Sequence, residues 1–256
     1  MNKKSQHITK STPSPLERAG VRLKICGMKY PDNIEQVASL LPDYLGFIFY
    51  EKSQRHFVEN NIPGLSNAIK KVGVFVDENI TVVFETIKKH KLQAVQLHGN
   101  ESPEYCENLK RHYEESSDEV ISSKRTDCFD TKKESRNDEK IEIIKAFSID
   151  DSFNFEVLKP YLDVCDYFLF DTKGKLPGGN GFVFDWSVLK NYTLTKPFFL
   201  SGGIGLNETE NLLSFLKKPE SRYCHAIDVN SKFEIKPGLK DFEKLKKFKE
   251  KLCHFE

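Results

Sequence analysis

Cys26 is the first residue in the chain placed to do chemistry. It closes the short apolar run LKIC, with Lys24 two positions before it and Gly27 directly after. Residues i and i+2 of an extended strand share a face, so the Lys24 ammonium can stand beside the thiol. A thiol of ordinary pKa about 8.5 needs such a cation to become a useful thiolate. The plainer role is packing, because free cysteine is among the most buried residue types. Asp171 ends a second apolar run, YFLFD. Burial there would raise the carboxyl pKa and keep a proton ready for general acid work; otherwise the residue caps a turn. The segment TKGKLPGGNG that follows is glycine-rich and is expected to form a mobile lid or a plain loop.

Other candidates also stand where apolar runs stop. Arg55 could clamp a carboxylate through two parallel hydrogen bonds, or be a solvated surface arginine. His98, in VQLHG, could position a ligand or be a satisfied strand-end histidine. Asp228 could bind a sugar hydroxyl or cap its turn. Ser201, Gly202 and Gly203 could offer backbone N–H groups to a phosphate, with Asn230 and Ser231 completing the cradle. Lys24 counts with Arg55, His98 and Asp228 among the substrate-binding candidates. Trp186, Phe184 and most other phenylalanines are expected to pack, and the lysine-rich C-terminal helix to face solvent.

The elements that would position these residues are eight β-prone runs, beginning at Leu23, Tyr44, Val72, Ala94, Glu142, Tyr167, Phe198 and Ala226. Helix-prone stretches lie between them, with apolar residues at about 3.6-residue spacing. They include PDNIEQVASLL, NITVVFETIKKHK, SPEYCENLKRHY, FNFEVLKPYL, NETENLLSFLKK and LKDFEKLKKFKEKL. Such alternation implies parallel βαβ units. The runs start 21, 28, 22, 48, 25, 31 and 28 residues apart. The outlying 48 contains residues 114–140, about half of them charged, and that stretch reads as a solvated, disordered insertion before strand 5. Taking away its 27 residues returns the spacing to 21. Residues 1–20 read as a disordered leader, and residues 21–256 as one barrel domain carrying the insertion. Eight even units favour a closed (β/α)8 TIM barrel of the α/β class over an open doubly wound sheet. In such a barrel the active site lies at the C-terminal ends of the strands, where the candidates above fall.

Composition limits the alternatives. The formal net charge of +1 gives no global field toward nucleic acid or an anionic membrane. No apolar run approaches the roughly 18 residues of a membrane span. The basic N-terminus lacks the apolar stretch of a secretory signal. Six cysteines without metal-ligand spacing read as reduced thiols of a cytoplasmic protein.

Together these pieces resemble the phosphoribosylanthranilate isomerases of tryptophan biosynthesis, from Arg22 to about Phe248. The matching motifs are KICGM, LGFIFYEKSQR, VGVFVD, VQLHG, LFDTK with GGNGFVFDW, LSGGI, and DVNSKFE with KPG. The resemblance implies an Amadori rearrangement of N-(5-phosphoribosyl)anthranilate to 1-(2-carboxyphenylamino)-1-deoxyribulose 5-phosphate, with no metal and no cofactor. It implies Cys26 as general base and Asp171 as general acid. Arg55 would hold the anthranilate carboxylate and Asp228 would lie near the sugar hydroxyls. Gly202, Gly203, Asn230 and Ser231 would cradle phosphate, and His98 matches the histidine of the family's QLHG. Asn230 and Lys232 stand where many relatives have serine and glycine. The expected partner is this small molecule alone, with no nucleic acid or membrane, and the chain acting as monomer or homodimer. Two other readings remain open here. A histidine-pathway aminoaldose isomerase would use two aspartates, and Cys26 argues against it. A silent barrel that only binds phosphorylated ligands would have no need of both Cys26 and Asp171.

Overall fold

The computed structural model describes residues 21–123, 140–172 and 185–253, without the side chains of 116–123. The leader, most of the insertion, the glycine-rich segment and Phe184 therefore lie outside the described residues. Eight parallel strands close into a barrel in chain order, β8 pairing back onto β1. They are β1 (Arg22–Ile25), β2 (Tyr44–Ile48), β3 (Lys70–Phe75), β4 (Ala94–Leu97), β5 (Glu142–Ile149), β6 (Tyr167–Thr172), β7 (Phe198–Leu200) and β8 (Cys224–Val229).

Period-two alternation divides the strand residues between two cores. Tyr44, Val72, Ala94, Ile144, Ala146, Leu169, Phe199 and Ala226 fill the barrel interior. Their sequence neighbours, such as Leu45, Val95, Ile143, Phe168, Phe198 and Ile227, face outward into the larger core beneath the helices. Both faces of each strand are thus buried, which is why the strands read as continuous apolar runs.

The outer layer comprises α1 (Pro31–Ala38), α2 (Ile80–His90), α3 (Pro103–Ser123), α4 (Thr209–Leu216) and α5 (Phe242–Cys253). In α2 the Asn79 side chain caps the start by accepting from the Thr81 N–H, and Val83, Phe84 and Ile87 form the buried stripe.

Four details depart from the sequence expectation. No helix joins β2 to β3, because residues 49–69 lack a helical apolar period and contain Pro63-Gly64; Phe57 fills the gap against Phe47 and Phe49. FNFEVLKPYL forms a 3₁₀ turn over Phe155–Tyr161 instead of an α-helix. It buries Phe155 and Leu158 at three-residue spacing, and Pro160 removes an N–H that a longer helix would need. In the last stretch Leu239–Lys240 forms β10, antiparallel to β9 (Glu234–Lys236), so α5 begins only at Phe242. Finally, α3 runs on to Ser123, so the first ten residues read as insertion are helical. High charge marked that segment as solvated, and a solvated segment can still be a helix.

Candidate active site

The strand C-termini converge on a polar mouth, beginning with Cys26. Its N–H donates to the Val229 carbonyl at 2.9 Å, so β1 and β8 fix it together. The residue is 4% exposed. Its thiol has room because residue 46 on β2 is glycine: a Cβ there would lie 2.8 Å from Sγ. Gly27 is at φ +76°, and a Cβ on it would meet Asn230 Oδ1 at 2.7 Å and Arg55 Cδ at 2.9 Å. Only glycine fits between those two side chains in that conformation.

Lys24 lies one layer below the thiol and is fully enclosed. Register sets it directly beside Asp228 on β8, and its Nζ donates to Asp228 Oδ1 at 2.9 Å and to Gln96 Oε1 at 2.8 Å. Lys24 is thus held by Asp228 and Gln96 while its ammonium still faces the Cys26 thiol. Burial pushes the Cys26 thiol up, Lys24 opposes that rise, Asp228 adds to it, and the Lys240 ammonium again opposes it. In the free site the net direction is upward, toward the neutral thiol.

Gln96 fixes a proton arrangement across the mouth. An ammonium can only donate, so Oε1 must face Lys24 and the amide Nε2 then donates to His98 Nδ1 at 2.7 Å. With Nδ1 accepting, neutral His98 carries its proton on Nε2, which lies 3.5 Å from Asp171 Oδ2. A chain of polar groups thus runs from Asp228 through Lys24, Gln96 and His98 to Asp171. Asp171 stays 18% exposed, directly after the buried Phe168–Phe170 of β6. Its Oδ1 accepts from the Thr172 N–H.

Arg55 reaches the mouth from the loop after β2. Its Nε and Nη2 donate to both oxygens of Glu234, at 2.7 to 3.1 Å. The edge formed by Nη1 and Nη2 has no protein acceptor among the described residues. Arg55 thus has one fork filled by Glu234 and the other open.

The glycines after β7 have φ of +93° at Gly202 and +65° at Gly203. A Cβ at 202 would collide with Thr172. The Ser201 N–H is used by the Phe170 carbonyl, whereas those of Gly202 and Gly203 bond to no carbonyl among the described residues. Asn230 Oδ1 accepts from Lys240 Nζ at 2.7 Å, so the side-chain oxygen turns inward toward the β9–β10 hairpin. Ser231 opens the short turn after it, and Lys232 is exposed.

Sequence reasoning missed Gln96, Glu234 and Lys240. Gln96 carried a usable signal, since it sits two positions before His98 and so shares its inward face. Glu234 and Lys240 flank a Pro237-Gly238 turn, which marks a hairpin but not its target.

An eight-stranded barrel with a thiol, a carboxyl, an open guanidinium edge and glycine amides at its mouth defines a class: a phosphosugar-type barrel enzyme working by proton transfer. Comparison with known proteins narrows it. The profile of the N-(5'phosphoribosyl)anthranilate (PRA) isomerase family matches residues 23–124 and 125–251, and the chain belongs to that family. It is 42% identical over 240 residues to the N-(5'-phosphoribosyl)anthranilate isomerase of Parabacteroides distasonis, covering 91% of this chain and 93% of that protein. It is similar in structure to a phosphoribosyl anthranilate isomerase solved with reduced 1-(o-carboxyphenylamino)-1-deoxyribulose 5-phosphate. The TM-score there is 0.66 at 26% identity, over 91% and 98% of the two chains. The enzyme of Thermus thermophilus shares the fold, with a TM-score of 0.70 at 24% identity over 92% and 100%.

Proposed function

We propose that the chain isomerises N-(5'-phosphoribosyl)anthranilate to 1-(2-carboxyphenylamino)-1-deoxyribulose 5-phosphate, with Cys26 and Asp171 as its acid/base pair. The observation that carries this is the placement of a thiol and a carboxyl at the mouth of one barrel, with Gln96 and His98 between them. Asp171 gives a proton to the furanose ring oxygen. The C1–O bond breaks, and the nitrogen lone pair forms the C1=N iminium. That cation makes the C2 proton acidic, and it also favours the thiolate of Cys26 beside it. The thiolate removes the C2 proton, leaving an enolamine that tautomerises to the C2 ketone as C1 gains a proton.

Each end of the substrate has a receptor in this reading. The open edge of Arg55 takes the aromatic carboxylate. The amides of Gly202 and Gly203, with the backbone at Asn230 and Ser231, take the phosphate. Asp228 has one oxygen on Lys24 and accepts a sugar hydroxyl with the other. His98 orients Asp171 through its Nε2 proton. No described helix is long and apolar enough to cross a membrane. We place the reaction in the cytoplasm, where the thiol stays reduced, with the chain working as monomer or homodimer.

The test is the fluorescence of phosphoribosylanthranilate, made fresh from anthranilate and phosphoribosyl pyrophosphate. Purified protein should abolish it catalytically. A folded protein that leaves the signal at the rate of spontaneous decay would overturn the reading.

A further inference from the structure

Beside the mouth, the β9–β10 hairpin places two buried charges whose role the acid/base pair does not explain. Glu234 (side chain 5% exposed) grips Arg55, and Lys240 (0%) sits behind Glu234. Lys240 Nζ donates to Glu234 Oε1 at 2.8 Å, to Asn230 Oδ1 at 2.7 Å and to the Asn230 carbonyl at 3.3 Å. The Gly238 N–H adds a bond to Glu234 Oε1 at 3.0 Å. The hairpin is itself locked to α1, because Asn33 bonds both the N–H and the carbonyl of Lys240. Glu234 and Lys240 are therefore each held by more than one partner, and Arg55 is the outermost member of the chain, its guanidinium held by Glu234 alone among the described residues.

We infer that Glu234, held by Lys240, is a positioning residue that presents the open edge of Arg55 to the aromatic carboxylate of the substrate. The inference rests on the functional reading of Arg55 given above. Geometry supports it in two ways. A guanidinium has two forks, and filling the Nε–Nη2 fork with a rigid carboxylate fixes the plane in which the Nη1–Nη2 fork points. Charge also fits: Arg55 and Lys240 against Glu234 leave one net positive charge, which one ligand carboxylate neutralises. The backing further explains why Asn230 turns inward. Lys240 holds Asn230 and Glu234 together, so the loop after β8 and the arginine are set by one ammonium.

The experiment compares two ligands on wild type and Glu234→Gln: reduced 1-(o-carboxyphenylamino)-1-deoxyribulose 5-phosphate and its counterpart lacking the ring carboxylate. Glu234→Gln should weaken the first by about tenfold or more, the scale of a lost charge-assisted contact, and leave the second within about twofold. KM should rise more than kcat falls. On an Arg55→Ala background, Glu234→Gln should change neither Kd further. Glu234→Asp keeps a charge for Lys240 but draws it back from Arg55, and should show the same selective loss if Glu234→Gln does not fold. Equal weakening of both ligands, or of neither, overturns the positioning role. A wild type that does not discriminate between the ligands, with Arg55→Ala also silent, overturns the functional reading of Arg55 and this inference with it.

Discussion

The two ends of the barrel each hold a histidine whose Nδ1 accepts and whose Nε2 carries the proton, yet they differ in kind. At the floor, where the strands begin, Arg22 can only donate, so His225 Nδ1 accepts from it at 3.5 Å and Nε2 faces the Tyr44 hydroxyl at 2.9 Å. Rings close around that imidazole: Tyr167 at 4.3 Å and Phe199 at 5.3 Å between centroids. Burial pushes the phenol of Tyr167 up to about 12, and that of Tyr44 further in the same direction. At the mouth, His98 Nε2 faces the Asp171 side chain, which remains partly exposed. The floor contacts end in aromatic walls, whereas the mouth contacts end in groups with capacity to spare: the Cys26 thiol, Asp171 and one edge of Arg55. Polar residues inside a barrel are therefore not a sign of function in themselves; an unfilled valence beside a proton carrier is the better sign.

Breaking this contrast should give effects of graded size. Asp171→Asn should lower kcat by about 10²–10⁴-fold, the usual share of a general acid, while Tyr44→Phe at the floor leaves kcat unchanged; steady-state turnover of phosphoribosylanthranilate measures both. The next effect is on stability. Lys24→Met leaves Asp228 buried without its cation and should cost about 3–5 kcal/mol. Lys70→Met at the floor removes a pair whose lysine is 43% exposed, and should cost about 0–1 kcal/mol. Urea midpoints separate the two.

A pH profile sharpens the mouth side. Burial raises the thiol, so the thiolate fraction, and with it kcat/KM, should climb with pH on the limb reporting Cys26. Asp228 adds to that rise, so Asp228→Asn should move the limb to lower pH; Lys240 opposes it, so Lys240→Met should move the limb to higher pH. Shifts of the opposite sign would mean that the limb belongs to another group. Tyr44→Phe has a similarly small effect on stability, about 1 kcal/mol for a hydrogen bond, read as a lower melting temperature.

Most of the mouth is legible in the sequence, for a physical reason. Strands buried on both faces leave an apolar record, and in a parallel barrel all of them end on one side, so the residue after each run marks the site. Cys26, Asp171, His98 and the glycines after β7 were found that way. What the chain did not show was who answers whom. Lys24 pairs with Asp228 across 204 residues, and Arg55 with Glu234 across 179, because only barrel closure brings β1 and the loop after β2 to β8 and its hairpin. Hence the sequence showed Lys24 beside the thiol and Asn230 after β8, but not that Asp228 and Gln96 hold the first and Lys240 the second. The helical start of the supposed insertion was hidden for a different reason: charge density reports solvation and says little of backbone conformation.

The most direct test of the account is Cys26→Ala, assayed for turnover of phosphoribosylanthranilate and for binding of the reduced product analogue in the same preparation. The account predicts an analogue Kd within a few-fold of wild type and a kcat lower by about two orders of magnitude or more. A variant that binds the analogue and still turns over within tenfold of wild type would contradict it, and would return Cys26 to the barrel wall as a packing residue.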